Sequence, residues 1–271
     1  MTRIDALIAR AEHLLDRAEP LLPPADRAPD WQASTAFRWR RRLGVGFLEP
    51  VTAPHGLPLG ALHHIERQKA RLERNTRQFL AGLPANNALL WGARGTGKSS
   101  LVKALGHDYA ASGLRLVEVT KTELVDLPDL ADVLRGRPER FILFCDDLSF
   151  EADDPAYKAL KAMLDGSVTA APDNTLIYAT SIRRHLMPEH LADNTAGGGH
   201  GEIHPGEAVE EQISLSERFG LWLSFHAFDE ETYLGVVAAW LARFGITDDT
   251  DTIREPALRY ARERGSRSGR V

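Results

Sequence analysis

The sequence predicts an α/β fold in which a parallel sheet is flanked by helices, and three features lead there. An apolar run, Leu89-Leu90-Trp91, enters Gly92-Ala93-Arg94-Gly95-Thr96-Gly97-Lys98-Ser99, and a helical pattern leaves it through Ser100-Leu101-Val102-Lys103-Ala104-Leu105. A second apolar run, Phe141-Ile142-Leu143-Phe144-Cys145, ends in Asp146 and Asp147. Further strand-like runs alternate with stretches of helical spacing, the order that builds a parallel sheet through crossover helices.

The first feature fits G-x-x-x-x-G-K-[ST], a phosphate-binding loop between a strand and a helix. Its glycines let backbone N–H groups turn inward around phosphate oxygens, and the following helix presents its positive end to the same anion. In such a loop Lys98 reaches the β- and γ-phosphates and the Ser99 hydroxyl joins a Mg²⁺ shell. The bland alternative is a glycine-rich turn before an amphipathic helix; the flanking strand and helix patterns favour the loop. Continuous apolarity over 141–145 suits a strand buried on both faces, and carboxylates at its C-terminal end lie where open α/β sheets bind ligands. Asp146 is therefore read as the residue that holds Mg²⁺ through water, and Asp147 as the one that orients or deprotonates an attacking water. Two acids that merely end a strand are the alternative.

Composition is that of an ordinary globular chain: 271 residues, 43% hydrophobic, 26% charged and a net charge of −5. That charge gives no general reason to expect nucleic acid or an acidic membrane as partner. The single cysteine, Cys145, cannot form an internal disulfide, and its neighbours mark it as a buried strand residue. With no membrane-length apolar run and a charged, helical N-terminus, a cytoplasmic protein without a membrane partner is expected.

Taken in order, residues 2–19 carry Ile4, Leu7, Ile8, Ala11, Leu14 and Leu15 at helical spacing, and Pro20, Pro23, Pro24 and Pro29 form a linker. Arg38-Trp39-Arg40-Arg41-Arg42 is basic with an aromatic inside it; a solvated face whose Trp39 packs on the body is preferred to a nucleic-acid contact. Residues 61–82 read as a helix, with the segment Leu62–Glu66 placed to lead in beside a nucleotide base. His63 and His64 point about 100° apart on a helix and lack further ligands at metal spacing, so no metal site is read there. After the loop's helix (98–112) come a strand at 114–119, a short helix at 127–135 and a helix at 154–165. Residues 175–181 read as a strand ending in Thr180 and Ser181, hydroxyls that could sense a γ-phosphate, although on spacing alone ordinary strand termination is preferred. Residues 192–212, with Gly197-Gly198-Gly199, His200, Glu202 and His204, read as a mobile surface loop rather than a metal site. A strand at 221–225 and helices at 229–244 and 252–264 complete the chain, with no internal repeat.

Together, this order of strand–loop–helix, strand–Asp-Asp, strand–hydroxyl, Arg-Phe-Gly, strand and helices resembles the AAA+ ATPase superfamily, and more closely the bacterial family of unknown function 815. The resemblance rests on Pro84–Ser100, Phe144–Glu151, Tyr178–Ser181, Arg183–Leu186, Ser216–Leu221 and Arg264–Arg270. Covering about residues 50–271, it implies a P-loop NTPase core with a five-stranded parallel sheet flanked by helices and a small α-helical lid, to which the residue pattern adds an N-terminal helical region. The implied divisions are 1–60 for the N-terminal region and linker, 61–228 for the nucleotide-binding core and 229–271 for the lid. It implies ATP and Mg²⁺ as ligands, with Gly92, Ala93, Arg94, Gly95, Thr96, Gly97, Lys98, Ser99 and Ser100 around the phosphates. Arg218 matches an arginine that reaches the nucleotide of a neighbouring subunit, so an ATP-dependent homo-oligomer is expected, acting on an unknown protein or nucleic-acid partner. Arg267 or Arg270 matches a lid arginine that touches nucleotide in cis, Arg270 the better of the two. Three departures stand out. Asp147 replaces the usual glutamate, Ile182 stands where asparagine is expected so that Ser181 or Thr180 must serve as sensor, and the chain ends at Val271 where a closing lid helix should begin.

Overall fold

The computed structural model describes residues 3–22, 29–52, 54, 56–151, 154–165, 172–184, 186, 215–246 and 250–269. Its centre is a seven-stranded sheet of order β2-β1-β4-β5-β6-β3-β7. The strands are β1 (Ala36–Arg42), β2 (Val45–Pro50), β3 (Ala88–Gly92), β4 (Leu114–Glu118), β5 (Arg140–Cys145), β6 (Thr175–Ser181) and β7 (Leu221–Phe225). Five of them, β4-β5-β6-β3-β7, are mutually parallel and correspond to the expected sheet.

The strand count corrects the sequence reading. Residues 36–50, placed in a helical region and linker, form a hairpin instead, with β1 parallel to β4 and antiparallel to β2. Leu43 and Gly44 turn it with φ of 50° and 80°, the positive pair that a two-residue hairpin loop requires. The basic run conceals a period of two. Phe37 and Trp39 point into the core, 1% and 0% exposed, while Arg38 and Arg40 alternate outward to Glu118 and Glu49 at 3.1 and 3.2 Å. The Trp39 indole donates to Asp126 at 3.2 Å, so its polar atom is satisfied where its ring is buried.

Alternation along β5 divides the core into two layers. Phe141, Leu143 and Cys145 pack with α4 (Leu127–Leu134) and α5 (Pro155–Leu164); Ile142 and Phe144 pack with α2 (Glu66–Leu80) and α3 (Lys98–Asp108). Asn75 of α2 donates to the buried Tyr178 hydroxyl at 3.0 Å, and Thr76 shares a 2.9 Å bond with it. Burial pushes the Tyr178 phenol up to about 12. A separate small cluster joins α6 (Glu230–Arg243) to α7 (Thr250–Glu263) through Tyr233, Leu234 and Ala261. Helix α1 (Arg3–Ala18) precedes the sheet in the chain. Among the described residues no helix is long and apolar enough to cross a membrane.

Asp154 starts α5 by accepting from Ala156 N at 3.0 Å, and Lys121 Nζ lies 2.8 Å away. Burial opposes the charge, but these two donors outweigh it and hold the carboxyl below its ordinary value. Asp154→Ala should cost about 1 kcal/mol, the usual worth of a cap. A lowered folded-state value means the contribution is present above the unfolded carboxyl's range and is lost as pH falls through the folded one. Thermal melts of the two proteins should therefore differ at neutral pH, and the difference should start to shrink below about pH 4 and vanish only below the lowered folded-state value.

Candidate nucleotide site

The phosphate-loop segment curls because three glycines hold positive φ: Gly92 at 127°, Gly95 at 72° and Gly97 at 96°. Space as well as angle demands glycine at Gly92, where a Cβ would lie 1.9 Å from the Phe225 carbonyl oxygen of β7. Ala93 N donates to that same oxygen at 3.0 Å, so the loop is moored to the neighbouring strand. Gly92→Ala should cost ~3 kcal/mol or more and lower the melting temperature by roughly 10 °C. An unchanged melt would refute the close approach. Thr96 Oγ1 donates back to Ala93 O at 2.8 Å and fixes the turn before α3.

Around this loop the fold assembles a polar cluster from three separate segments. Lys98 is 8% exposed and donates through Nζ to Gly92 O at 2.8 Å and Ala93 O at 2.6 Å. Ser99 Oγ, one residue into α3, donates to Asp146 Oδ1 at 2.6 Å. Thr180 Oγ1 of β6 donates to the same oxygen at 2.6 Å and accepts from Asp147 N at 2.8 Å. One hydroxyl thus fixes both acids beyond β5. Asp147 sits at φ 53°, an uncommon backbone for a non-glycine residue, with an exposed carboxylate 3.8 Å from exposed Arg94. In high dielectric that pair contributes little.

A cleft of about 640 Å³ opens over the cluster. Residues 94–100, Asp146, Asp147, Thr180 and Ile182 line it, together with apolar Leu62, Ile65 and Trp240. Such a cleft suits a ligand with an anionic and a flat apolar part. Hard oxygen donors at Ser99 and Asp146 suit Mg²⁺. Among the described residues no group of three or more His, Cys, Asp or Glu can hold a metal unaided, so phosphate oxygens and water would complete its shell. Cys145 is not a nucleophile: burial, reinforced by the Asp146 charge, pushes its thiol up to about 12.

The structure brings Lys98, Ser99, Ser100, Asp146, Asp147 and the loop together and leaves others apart. Ser181 faces away from the cleft; it is 1% exposed, donates to Leu148 O at 2.8 Å and accepts from Arg183 N at 3.1 Å. Thr180, the neighbour on the opposite face of β6, takes the cleft position, and apolar Ile182 follows it there. Arg218 lies outside the cleft lining and pairs with Asp165, which ends α5. Arg267 lies 3.7 Å from Glu230. Arg270 and the segment with Gly197, His200, Glu202 and His204 lie outside the described residues. Sequence reasoning missed Trp240 and Arg243 of α6, which line the cleft, and the main-chain contact between the terminal segment and the phosphate loop. There Gly269 N donates to Gly95 O at 2.8 Å and Ser268, 6% exposed, abuts Gly95. Main-chain contacts of this kind leave no side-chain signature.

A parallel sheet with a phosphate-type loop after β3, an acid pair after β5 and β6 between those two strands defines an AAA+-type P-loop fold. The family described as Protein of unknown function (DUF815) matches residues 32–271, and the chain belongs to that family. Among solved structures, a RuvB variant from Thermotoga maritima is 17% identical, with 74% of this chain and 58% of that one covered at a TM-score of 0.50. A second RuvB from that organism, titled a Holliday junction branch migration motor, gives 15%, 76%, 58% and 0.49. AMPPCP-bound DnaA from Aquifex aeolicus gives 14%, 73%, 59% and 0.48. This chain spans under three-fifths of each of those chains, and identities this low speak to the fold alone. No curated protein matches the sequence.

Proposed function

We propose that the protein binds Mg-ATP and transfers its γ-phosphoryl group to water at a site completed by a neighbouring copy. The observation that carries this reading is the cluster in which Ser99 and Thr180 both donate to Asp146 beside the buried Lys98. Loop N–H groups bind the phosphates, and Lys98 exchanges its two carbonyl acceptors for phosphate oxygens. Ser99 and Asp146 are the residues that would hold Mg²⁺, which supplies neutralisation of phosphate charge when bound. Thr180 keeps Asp146 aimed at that place and Asp147 beside it, where the Asp147 carboxylate orients a water and accepts its proton. Arg218 of one copy stabilises charge on the phosphoryl group held by the next. The division into 1–60, 61–228 and 229–271, amended by the strands at 36–50, remains our reading of the chain's parts, with α6 and α7 as the lid.

A second reading is favoured by specific residues. Ile182 brings no hydrogen bond to the cleft, and Asp147 is a methylene shorter than glutamate, so a nucleotide-gated assembly module with little hydrolysis fits the same geometry. Calorimetric titration of ATP with Mg²⁺ and with EDTA tests the shared premise. Tighter binding with Mg²⁺ is expected; equal binding would remove Ser99 and Asp146 from the metal role.

A further inference from the structure

Helix α1 precedes the part of the chain that the family model matches, which begins at residue 32. Along it Ile4, Leu7, Ile8, Leu14 and Leu15, continued by Leu21 and Leu22, are 52–68% exposed. An apolar stripe this continuous marks an interaction surface. Seven such side chains offer roughly 600–700 Å² of apolar surface, approaching the ~800 Å² that each partner of a standard stable interface buries.

The charges beside the stripe identify the occupant. At 3.6 residues per turn, Ile4, Ala11 and Ala18 run along the centre of the apolar face. Arg10 and Arg17 lie along one edge, and Asp5, Glu12 and Glu19 along the other. A helix adapted to an anionic lipid surface carries a Lys/Arg-rich polar face, whereas here one whole edge is acidic. When two identical helices meet face to face in parallel, a two-fold axis along them sets the basic edge of each against the acidic edge of the other. Arg10 of one copy then lies beside Glu12 of its mate, and Arg17 beside Glu19. An antiparallel pair sets like edges together on both sides. We propose that α1 is a parallel dimerisation helix whose partner is α1 of a second copy of this chain. The pairing is independent of the nucleotide cleft and precedes any assembly that ATP drives. Sixteen residues make only about two heptads, so the dimer is concentration-dependent rather than permanent.

The test uses the full chain without nucleotide. In sedimentation velocity the mass should rise from 30.0 kDa towards twice that value as concentration increases. The double variant Leu7→Glu/Leu14→Glu should remain at 30.0 kDa, with ATP affinity and melting temperature unchanged. Arg10→Glu/Arg17→Glu and Glu12→Arg/Glu19→Arg should each self-associate about tenfold more weakly, and their mixture should regain association as a heterodimer. Ile4→Cys should give a disulfide-linked dimer, because parallel helices bring position 4 of the two copies together; the natural Cys145 is buried and does not compete. A wild-type chain that stays monomeric, a leucine variant that still dimerises, or capture of the monomer by phosphatidylserine–phosphatidylcholine vesicles would overturn the proposal. None of these outcomes depends on ATP turnover.

Discussion

Lys98→Ala is expected to weaken ATP binding by about 100-fold and to abolish turnover. The ammonium would make charge-assisted hydrogen bonds to two phosphates, each worth roughly 1.5–3 kcal/mol, and among the described residues Lys98 is the one lysine in the cleft's lining. The same substitution removes the donor that Gly92 O and Ala93 O share in the structure, so a small loss of stability, about 1 kcal/mol, should accompany it. Calorimetric titration separates the two effects, since a folded variant with unchanged ATP affinity would show that the loop does not bind phosphate.

Arg218→Ala should leave ATP affinity within about twofold and reduce turnover by about a thousandfold, the usual worth of a finger supplied by a neighbour. In the structure its guanidinium pairs with Asp165 at the end of α5, away from its own cleft, so substitution leaves the cleft's lining intact. The pairing also means that reaching a neighbour's nucleotide requires exchange of Asp165 for a phosphate. A mixing experiment gives a sharper result than either variant alone. Lys98→Ala subunits still carry Arg218, and Arg218→Ala subunits still bind ATP, so a mixture should recover activity that neither has by itself. Turnover of Arg218→Ala equal to that of wild type, or no recovery on mixing, would argue against a finger in trans.

Much of the fold was legible because the chain states it locally. Thr175–Ser181 and Leu221–Phe225 are strands at the bounds their apolar runs predict, and β5 shows the unbroken apolarity of a strand covered on both faces. The hairpin at 36–50 was not legible, since arginines at 38, 40, 41 and 42 mask the alternation of Phe37 and Trp39, and their partners Glu49 and Glu118 lie on other strands. In the site, the phosphate loop and the acids after β5 announce themselves by residue type. Which hydroxyl of Thr180 and Ser181 faces the cleft is set by the parity of β6, and parity follows from register with β3 and β5 rather than from local sequence. The approach of Gly269 to Gly95 depends on where α7 returns the chain, and it uses only backbone atoms and a small side chain. The readable parts are those whose chemistry needs a particular residue type; the unreadable ones need only a position.

The shared-site ATPase is tested most directly by phosphate release per subunit across a range of protein concentrations, with light-scattering mass recorded in the same Mg-ATP samples. The expected result is a specific rate that rises together with assembly, because each nucleotide waits for an arginine from the next copy. A specific rate that is constant from monomer to assembly would contradict it, and assembly without phosphate release would replace it with the nucleotide-gated module.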